Sequence, residues 1–324
     1  MTSNFNEIKP WRSLEQQLDQ LTANGLEVSE REKALDYLAR LGYYRLSGYW
    51  YGLRKLDREK TAQLGAPHRT SQFMQGSSFE NVVKLYIFDK KLRLLAMDAL
   101  ERIEMALRVD IAYLLGRYDP LAHKKTTFLN GHFAKQVKKR GPAQGRTEHS
   151  LWLEKYYSLL HRARREPFIA HHQKKYGEPP VWVAIEVWDF GLMSKLYAGM
   201  RRSDQDQIAV KYGASDGREL AVWLRSLNFI RNVSAHHGRL WNINVLERSP
   251  VPEHETSWQG LGNARPFLYL CLLQKMLRII CPNSSWGSRF LSLLGEFPAH
   301  SGFKLEDLGF VNEAWVQEHF RSRK

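Results

Sequence analysis

Cysteine is scarce in this chain of 324 residues, which carries only Cys271 and Cys281. Two cysteines ten positions apart, with no CxxC pair, exclude a disulfide framework and give no zinc-ligand spacing. Long apolar runs are also missing, because polar and charged residues interrupt the most apolar window, residues 267–281, which is too short to span a bilayer. The first residues lack the apolar core of a signal peptide. We therefore expect a cytoplasmic protein with no membrane partner, no metal site and no cofactor.

Acidic residues are too few to balance the basic ones. The chain has 34 Asp and Glu against 48 Lys and Arg, which gives a formal net charge of +14. Such an excess favours a polyanionic partner, because each neutralised phosphate releases counterions. A solvated basic surface is an equally open interpretation for the individual clusters. The clusters that we predict to contact the phosphates of a nucleic acid are Lys138, Lys139, Arg140, Arg162, Arg164, Arg165, Lys174 and Lys175.

Strand-like alternation is rare, whereas apolar residues three or four positions apart are common, and this predicts an all-α fold. The longest pattern starts at Ser77-Ser78-Phe79-Glu80, a possible capping box, and continues for almost forty residues. Glu104 and Arg108 form an i,i+4 pair on this helix. Its apolar stripe consists of Leu85, Phe88, Leu92, Leu95, Ala99, Ile103, Leu107, Ile111 and Leu114.

Other patterns predict shorter elements and three regions: an N-terminal helical region over 1–75, a helical core over 76–281 and a helical tail over 282–324. A second helix is expected to begin at Ser29 with a Ser29-x-x-Glu32 capping box. Residues 57–76 are polar and contain Gly and Pro, so we expect a loop or linker there. A single helix is predicted from Pro179-Pro180 to about Leu196, and another over about 264–280. The apolar stripe of the first consists of Val181, Ile185, Trp188, Leu192 and Leu196.

The segment from Arg231 to Asn242, RNVSAHHGRLWN, holds the residues with the clearest chemistry. A histidine can move a proton to or from a ribose hydroxyl, and an arginine can stabilise the charge that builds on phosphorus. An Arg–His spacing of this kind also occurs by chance elsewhere, as in Arg117 with His123. In an ideal helix, residues five positions apart lie about 140° apart around the axis, so Arg231 and His236 do not share a face. For the two to act together, either the long arginine side chain curls back or the helix ends inside the segment.

The full wording of this segment resembles the RNxxxH signature of HEPN ribonucleases and, more narrowly, the signature of the Abi family of abortive-infection proteins (the AbiD/AbiF-like group). Further blocks resemble the same family in order from about residue 9 to residue 245. These blocks are Lys9-Pro10-Trp11, the YYRLSGY segment 43–49, Glu101–Glu104 with Arg108, and the PVWVAIE segment 180–186 followed by Phe190-Gly191 and Ser194.

The resemblance implies a HEPN-like helical bundle with an N-terminal helical extension and a C-terminal helical region. It also implies a metal-independent endoribonuclease of a phage-defence, toxin-like system. Its composite site would be made by two motifs that face each other in a homodimer. On this reading His236 transfers protons, Arg231 stabilises the transition state and Asn232 positions one of them, with His237 as the second choice for proton transfer.

Four residues are predicted to lie in or near the cleft: His237, Glu186, Arg239 and Arg108. Glu186 lies beside an apolar stripe, and a partly buried carboxylate needs a cationic partner, for which we expect an arginine of the 231–242 segment. A catalytically silent dimer that binds RNA is the alternative function. A structured, regulatory non-coding RNA is a possible partner in either case. A metal nuclease is disfavoured, because no Asp, Glu and His cluster has metal spacing.

Overall fold

A computed structural model describes residues 9–137, 143–298, 302–310 and 312–321 of the chain. Lys138, Lys139 and Arg140, three of the predicted RNA contacts, lie outside the described residues. The described part consists of helices and one two-stranded sheet, which confirms the predicted all-α class. Across these ranges, no helix has the length and apolarity needed to cross a membrane.

The chain divides into two compact units. The first contains the described residues of Met1–Lys91 and Leu293–Asp307, and the second those of Leu92–Ser292 and Leu308–Lys324. The division falls within the longest helix, so this boundary is not one that a linker composition could have indicated. All described candidate site residues belong to the second unit.

The first unit starts with three helices, α1 (Leu14–Ala23), α2 (Arg31–Leu41) and α3 (Tyr43–Trp50). The antiparallel strands β1 (Arg54–Leu56) and β2 (Arg69–Phe73) flank α4 (Arg58–Leu64), with Arg54 opposite Phe73 and Leu56 opposite Arg69. The expectation of a loop over 57–76 was therefore wrong. Asp57 caps α4 by accepting a hydrogen bond from the Lys60 amide, and strand pairing orders the segment that follows.

The capping box expected at Ser29 was also wrong. The N-cap of α2 is Glu30, which makes no side-chain cap, while the Ser29 amide and hydroxyl both donate to Glu80. Ser29 thus pairs with the Glu80 carboxylate, 51 positions away, and not with Glu32. The S-x-x-E pattern gives no sign of this long-range contact.

The 40-residue helix α5 (Phe79–Tyr118) confirms the long pattern. Every member of its predicted apolar stripe is buried. The opposite side carries exposed apolar residues instead, among them Leu94, Met105, Val109 and Tyr113, of which Val109 is 65% exposed. One side of this helix therefore forms core and the other leaves apolar surface uncovered.

The second unit continues with α6 (Glu148–Arg162), α7 (Pro167–Tyr176), α8 (Val181–Ala184), α9 (Phe190–Gly199), α10 (Arg202–Lys211), α11 (Gly217–Ala235) and α12 (Phe267–Ile280). Then follow α13 (Trp286–Leu294), whose last two residues belong to the first unit, and α14 (Glu313–Phe320). Short 3₁₀ turns lie at Tyr51–Leu53, Ala122–Lys124, Thr126–Phe128, Ile185–Val187, Thr256–Trp258 and Leu305–Leu308.

The single helix predicted from Pro179 to Leu196 is broken into α8, a 3₁₀ turn and α9. Trp188 is extended, and Asp189 begins α9 by accepting a hydrogen bond from the Leu192 amide at 2.7 Å. The apolar stripe is nevertheless buried throughout, because Val181, Ile185 and Trp188 still face the core. A capping aspartate inside a helical pattern was the local signal for this break.

Candidate active site

Helix α11 carries the first part of the 231–242 segment. Asp216 caps its N-terminus by accepting hydrogen bonds from the amides of Arg218 and Glu219. Residues spaced by three or four along one face are fully buried and fix the rotation of the helix. These core residues are Leu220, Trp223, Leu224, Leu227 and Ile230. Arg231 and Asn232 follow directly, and Asn232 is turned outward.

Helix α11 ends at Ala235, inside the 231–242 segment, which is one of the two arrangements predicted from the sequence. His236 is its C-cap, and the Gly238 amide donates to the Val233 carbonyl at 2.8 Å while the His237 amide donates to the Ser234 carbonyl. This pair of bonds is a Schellman motif, which needs a left-handed residue at the position of His237. His237 adopts φ +58° there, a conformation that costs a non-glycine residue roughly 1–2 kcal/mol.

Two features hold this strained end in place. Gly238 approaches Val233 so closely that an added Cβ would lie 3.1 Å from its carbonyl oxygen, and the Arg93 guanidinium donates to the Gly238 carbonyl at 3.2 Å. Beyond it, Leu240 and Trp241 are buried. His236 and His237 are exposed on this fixed turn, which is the placement that two proton-transfer candidates require.

Arg231 lies among polar groups of two elements. Its Nη1 is 3.4 Å from the Asn232 Oδ1, and its positive charge is close enough to lower the pKa of Asp189. Burial alone would raise the pKa of Asp189, but hydrogen bonds from Lys155 and the Leu192 amide, together with the charges of Lys155 and Arg231, lower it below its usual range. Asp189 is therefore an anion that holds positive charge near the motif.

The predicted pairing of Glu186 with an arginine of the 231–242 segment was wrong. Glu186 is exposed, and its carboxylate lies 3.3 Å from the guanidinium of Arg108. Arg108 also binds Glu104 at 2.6 Å, as the i,i+4 spacing predicted, and donates to the carbonyls of Glu186 and Trp188. The 3₁₀ turn brings these carbonyls to α5, and so the α5 arginine satisfies both the carboxylate and the turn.

An open cleft of about 460 Å³ brings α5 and α11 together. Its polar lining consists of Asp98, Glu101, Glu104, Arg108 and Arg231. Arg108 lines this cleft together with Arg231, whereas Arg102 binds Asp98 and Ser284. Apolar side chains, Leu94, Met97 and Met105, complete the wall. His236, His237 and Arg239 are not among its lining residues, so one chain presents Arg231 in the cleft and its histidines at the end of α11.

The described members of the predicted RNA-contact clusters lie at the ends of two helices. Arg162, Arg164 and Arg165 are exposed where α6 ends, and Lys174 and Lys175 are exposed in the last turn of α7. Their exposure suits both a phosphate contact and a solvated surface. Their role as RNA contacts therefore remains a prediction.

Sequence reasoning missed three polar residues near Arg231. Asp189 and its partner Lys155 were not considered, and Asn228 lies one turn before Asn232 on α11. A Cβ added to Gly191 would be 3.3 Å from the Asn228 Oδ1 and 3.4 Å from the Asp189 Oδ1, so these two groups meet at the start of α9. The i,i+4 spacing of Asn228 and Asn232 was the available signal.

Comparison with protein families identifies the family to which the chain belongs. The family model described as Abi-like protein matches residues 36–242. The chain belongs to the Abi-like protein family. Its membership indicates a part in abortive infection, a form of phage defence, and the matched range ends at the last residue of the 231–242 segment. No curated protein and no solved structure shows a significant match to the chain.

Proposed function

We propose that this Abi-like protein is a metal-independent endoribonuclease that acts in phage defence through an RNxxxH site of the HEPN type. The observation that carries the proposal is the geometry of the 231–242 segment. A capped, buried helix positions Arg231 and Asn232, and a strained turn then exposes two histidines at its end. A net charge of +14 supports an RNA substrate.

The proposed reaction is transesterification of the RNA backbone. His236 accepts the proton of a ribose 2′-hydroxyl, whose oxygen attacks the adjacent phosphorus. Arg231 stabilises the negative charge of the phosphorane-like transition state, with Asn232 orienting its guanidinium. A second acid protonates the departing 5′-oxygen. The products are a 2′,3′-cyclic phosphate and a 5′-hydroxyl end.

The second acid is the reason to propose a homodimer. One histidine cannot serve as base and acid in the same step, so we place a second motif from another copy across a two-fold axis. The exposed apolar residues that border the Arg231 cleft, Leu94 and Met105, support a contact between copies on this side of α5. Leu94 is 62% exposed, so its side chain is accessible for such a contact.

Cleavage of total cellular RNA in EDTA tests the proposal with two matched histidine variants. His236→Ala is expected to reduce cleavage by at least about 100-fold, the size of a lost general acid–base group. His237→Gly is the control, because glycine adopts the left-handed conformation of residue 237 without strain while removing the ring. Cleavage by the glycine variant near the wild-type rate assigns proton transfer to His236. If His237→Gly abolishes cleavage and His236→Ala does not, proton transfer belongs to His237. If the wild type cleaves RNA without EDTA but not with it, the reaction is not metal-independent.

Mixed dimers test the composite site. Differently tagged wild-type and His236→Ala chains are co-expressed, and the doubly tagged species is isolated. A site that needs both histidines predicts that the mixed dimer is as inactive as the pure variant, whereas half the wild-type activity would show two independent sites. Salt-sensitive RNA binding without cleavage by any species would favour the silent RNA-binding dimer.

A further inference from the structure

A second cleft in the same unit is built from aromatic side chains. Its volume is about 440 Å³, within the roughly 300–1,000 Å³ of small-ligand pockets. Its lining includes His172 and Tyr176 of α7 and Trp182 of α8, together with Pro120 and Pro180. Trp182 is 50% exposed and Tyr176 is 60% exposed, although both belong to ordered helices. These rings are therefore accessible to solvent and are not part of the hydrophobic core.

Trp182 packs closely on α5 at Gly116. A Cβ added to Gly116 would be 3.2 Å from the Cε3 and 3.3 Å from the Cζ3 of the indole, so a side chain at this position would make the ring shift by a few tenths of an ångström. The close packing covers one part of the ring and orders it, while half of its surface stays open. An aromatic ring held in this manner is pre-organised for stacking, because little side-chain entropy is lost on binding.

The clefts follow one another from the 231–242 segment. The Arg231 cleft and a neighbouring cleft of about 450 Å³ share Arg108, and that neighbour shares Trp182 with the aromatic cleft. The middle cleft also contains Tyr113, 70% exposed, and the exposed Arg117 one turn later on α5. Arginine and aromatic side chains therefore both line a series of connected clefts that starts at Arg231.

Charge at the far end of this series of clefts is positive. The Lys175 ammonium lies 5.0 Å from the centre of the Tyr176 ring, and Lys174 is exposed beside it. The one carboxylate of the aromatic cleft belongs to Glu178, and Lys124 neutralises it in an ion pair. Aromatic faces next to cations suit the bases and phosphates of a single strand, whereas a purely apolar partner would leave these lysines without a role.

We propose that Trp182 and Tyr176 form a stacking subsite for unpaired bases of the RNA strand whose backbone is cleaved at the 231–242 segment. The proposal rests on the proposed function, since it takes RNA as the ligand. It adds a substrate class: single-stranded RNA, or loops and ends of folded RNA, bound several nucleotides away from the scissile phosphate. A continuous RNA duplex would not supply the open bases that this subsite needs.

The test is binding of labelled oligonucleotides to the full chain carrying His236→Ala, so that the probe is not cleaved. The probes are a 12-nucleotide oligoadenylate, the same backbone with abasic positions, and a 12-base-pair RNA duplex. Adding Trp182→Ala or Tyr176→Ala is expected to weaken oligoadenylate binding by roughly 5- to 100-fold, the usual effect of losing one stacked base. Binding of the abasic strand is expected to change less than about twofold, because it offers phosphates but no bases to stack.

Matched variants separate stacking from charge. Trp182→Phe keeps a ring and is expected to restore most of the affinity, while Tyr51→Ala removes a similarly exposed tyrosine of the first unit and is expected to have no effect. Lys174→Ala is expected to weaken all strands alike and to lower the slope of log affinity against log salt by about 0.7. An unchanged oligoadenylate affinity in the Trp182 and Tyr176 variants, with RNA still cleaved by wild type, overturns the subsite alone.

Three further outcomes also decide against it. If no RNA binds to any variant and none is cleaved by wild type, the proposed function fails and the subsite with it. If Trp182→Ala converts a dimer to a monomer in sedimentation, this surface is a contact between copies of the chain. Equal weakening of the abasic and adenylate strands would assign the effect to lost structure, which the thermal midpoint of each variant checks.

Discussion

Two clusters of tryptophan, tyrosine and histidine lie in the same unit and differ mainly in burial. In the closed cluster, His123, Trp152, Tyr156 and Trp188 are at most 2% exposed and their ring centres lie 5.1–6.3 Å apart. In the open cluster, His172, Tyr176 and Trp182 line a cleft. Trp182 and Trp188 are six residues apart on one segment, so nearly the same chemistry serves packing at one position and is exposed for binding at the other. Residue type alone therefore does not tell whether an aromatic side chain stabilises the fold or is available to bind a ligand.

The largest predicted effect is on stability, and it falls on the closed cluster. Trp152→Ala removes a buried indole whose Nε1 donates to the Leu192 carbonyl at 2.9 Å, so it leaves both a cavity and an unsatisfied acceptor. The expected loss is about 3–5 kcal/mol, or a drop of roughly 10 °C in the thermal midpoint. Trp182→Ala, at the half-exposed position, is expected to lower the midpoint by only a few degrees. Equal losses, measured by differential scanning calorimetry, would remove the distinction between the two clusters.

The next effect is the dependence of stability on pH. Burial, then the positive charges of Lys124 and His149, lower the pKa of His123 to about 3. In the unfolded chain the same ring titrates near 6.5, so below that pH the unfolded state binds the extra proton. His123 therefore costs the protein no stability above pH 6.5. As the pH falls from 6.5 toward 3, the free energy of unfolding decreases, and the loss from this group is roughly 2 kcal/mol at pH 5.

His123→Phe is expected to remove much of that loss, since phenylalanine fits an aromatic cluster and has no proton to bind. Some acid sensitivity persists, because burial also lowers the pKa of His149. Urea unfolding at pH 7 and pH 5 measures the difference between the two conditions. His161→Gln, an exposed change on α6, is the comparison variant. A Phe variant that loses as much stability as wild type between these pH values would place the acid sensitivity elsewhere.

Elements with a local cause were predictable from the sequence, while partners across the fold were not. The α5 stripe and its Glu104–Arg108 pair depend on residues three or four positions apart, and both are present. The partner of Glu186 was assigned wrongly because Arg108 lies 78 positions away, and no periodicity encodes such a contact. The 231–242 segment was recognised by its wording, but the left-handed His237 follows from how the chain turns back into the core.

The two tryptophans divide between these two kinds of property. Trp188 lies on the predicted apolar stripe, and it is buried although the capped break at Asp189 interrupts the helix. Trp182 stays half exposed, and the part of its ring that is covered packs on Gly116, a contact 66 positions distant in sequence that is close because Gly116 has no side chain. A single sequence shows a glycine in a helix but not what lies against it.

The smallest predicted effect sharpens the comparison most. Gly116→Ala places a methyl group 3.2–3.3 Å from the Trp182 ring, so the indole must shift by a few tenths of an ångström. The free energy of unfolding of this variant is expected to change by less than about 1 kcal/mol, because the higher helix propensity of alanine offsets the cost of the crowded contact. Affinity for single-stranded RNA is expected to fall about 2- to 5-fold, since stacking depends on the placement of the ring. In a Trp182→Ala background the same substitution should leave RNA affinity unchanged, because the group through which it acts is gone. If the two substitutions instead weaken binding independently, Gly116 acts through the helix backbone, and Trp182 does not need close packing on α5 to bind RNA.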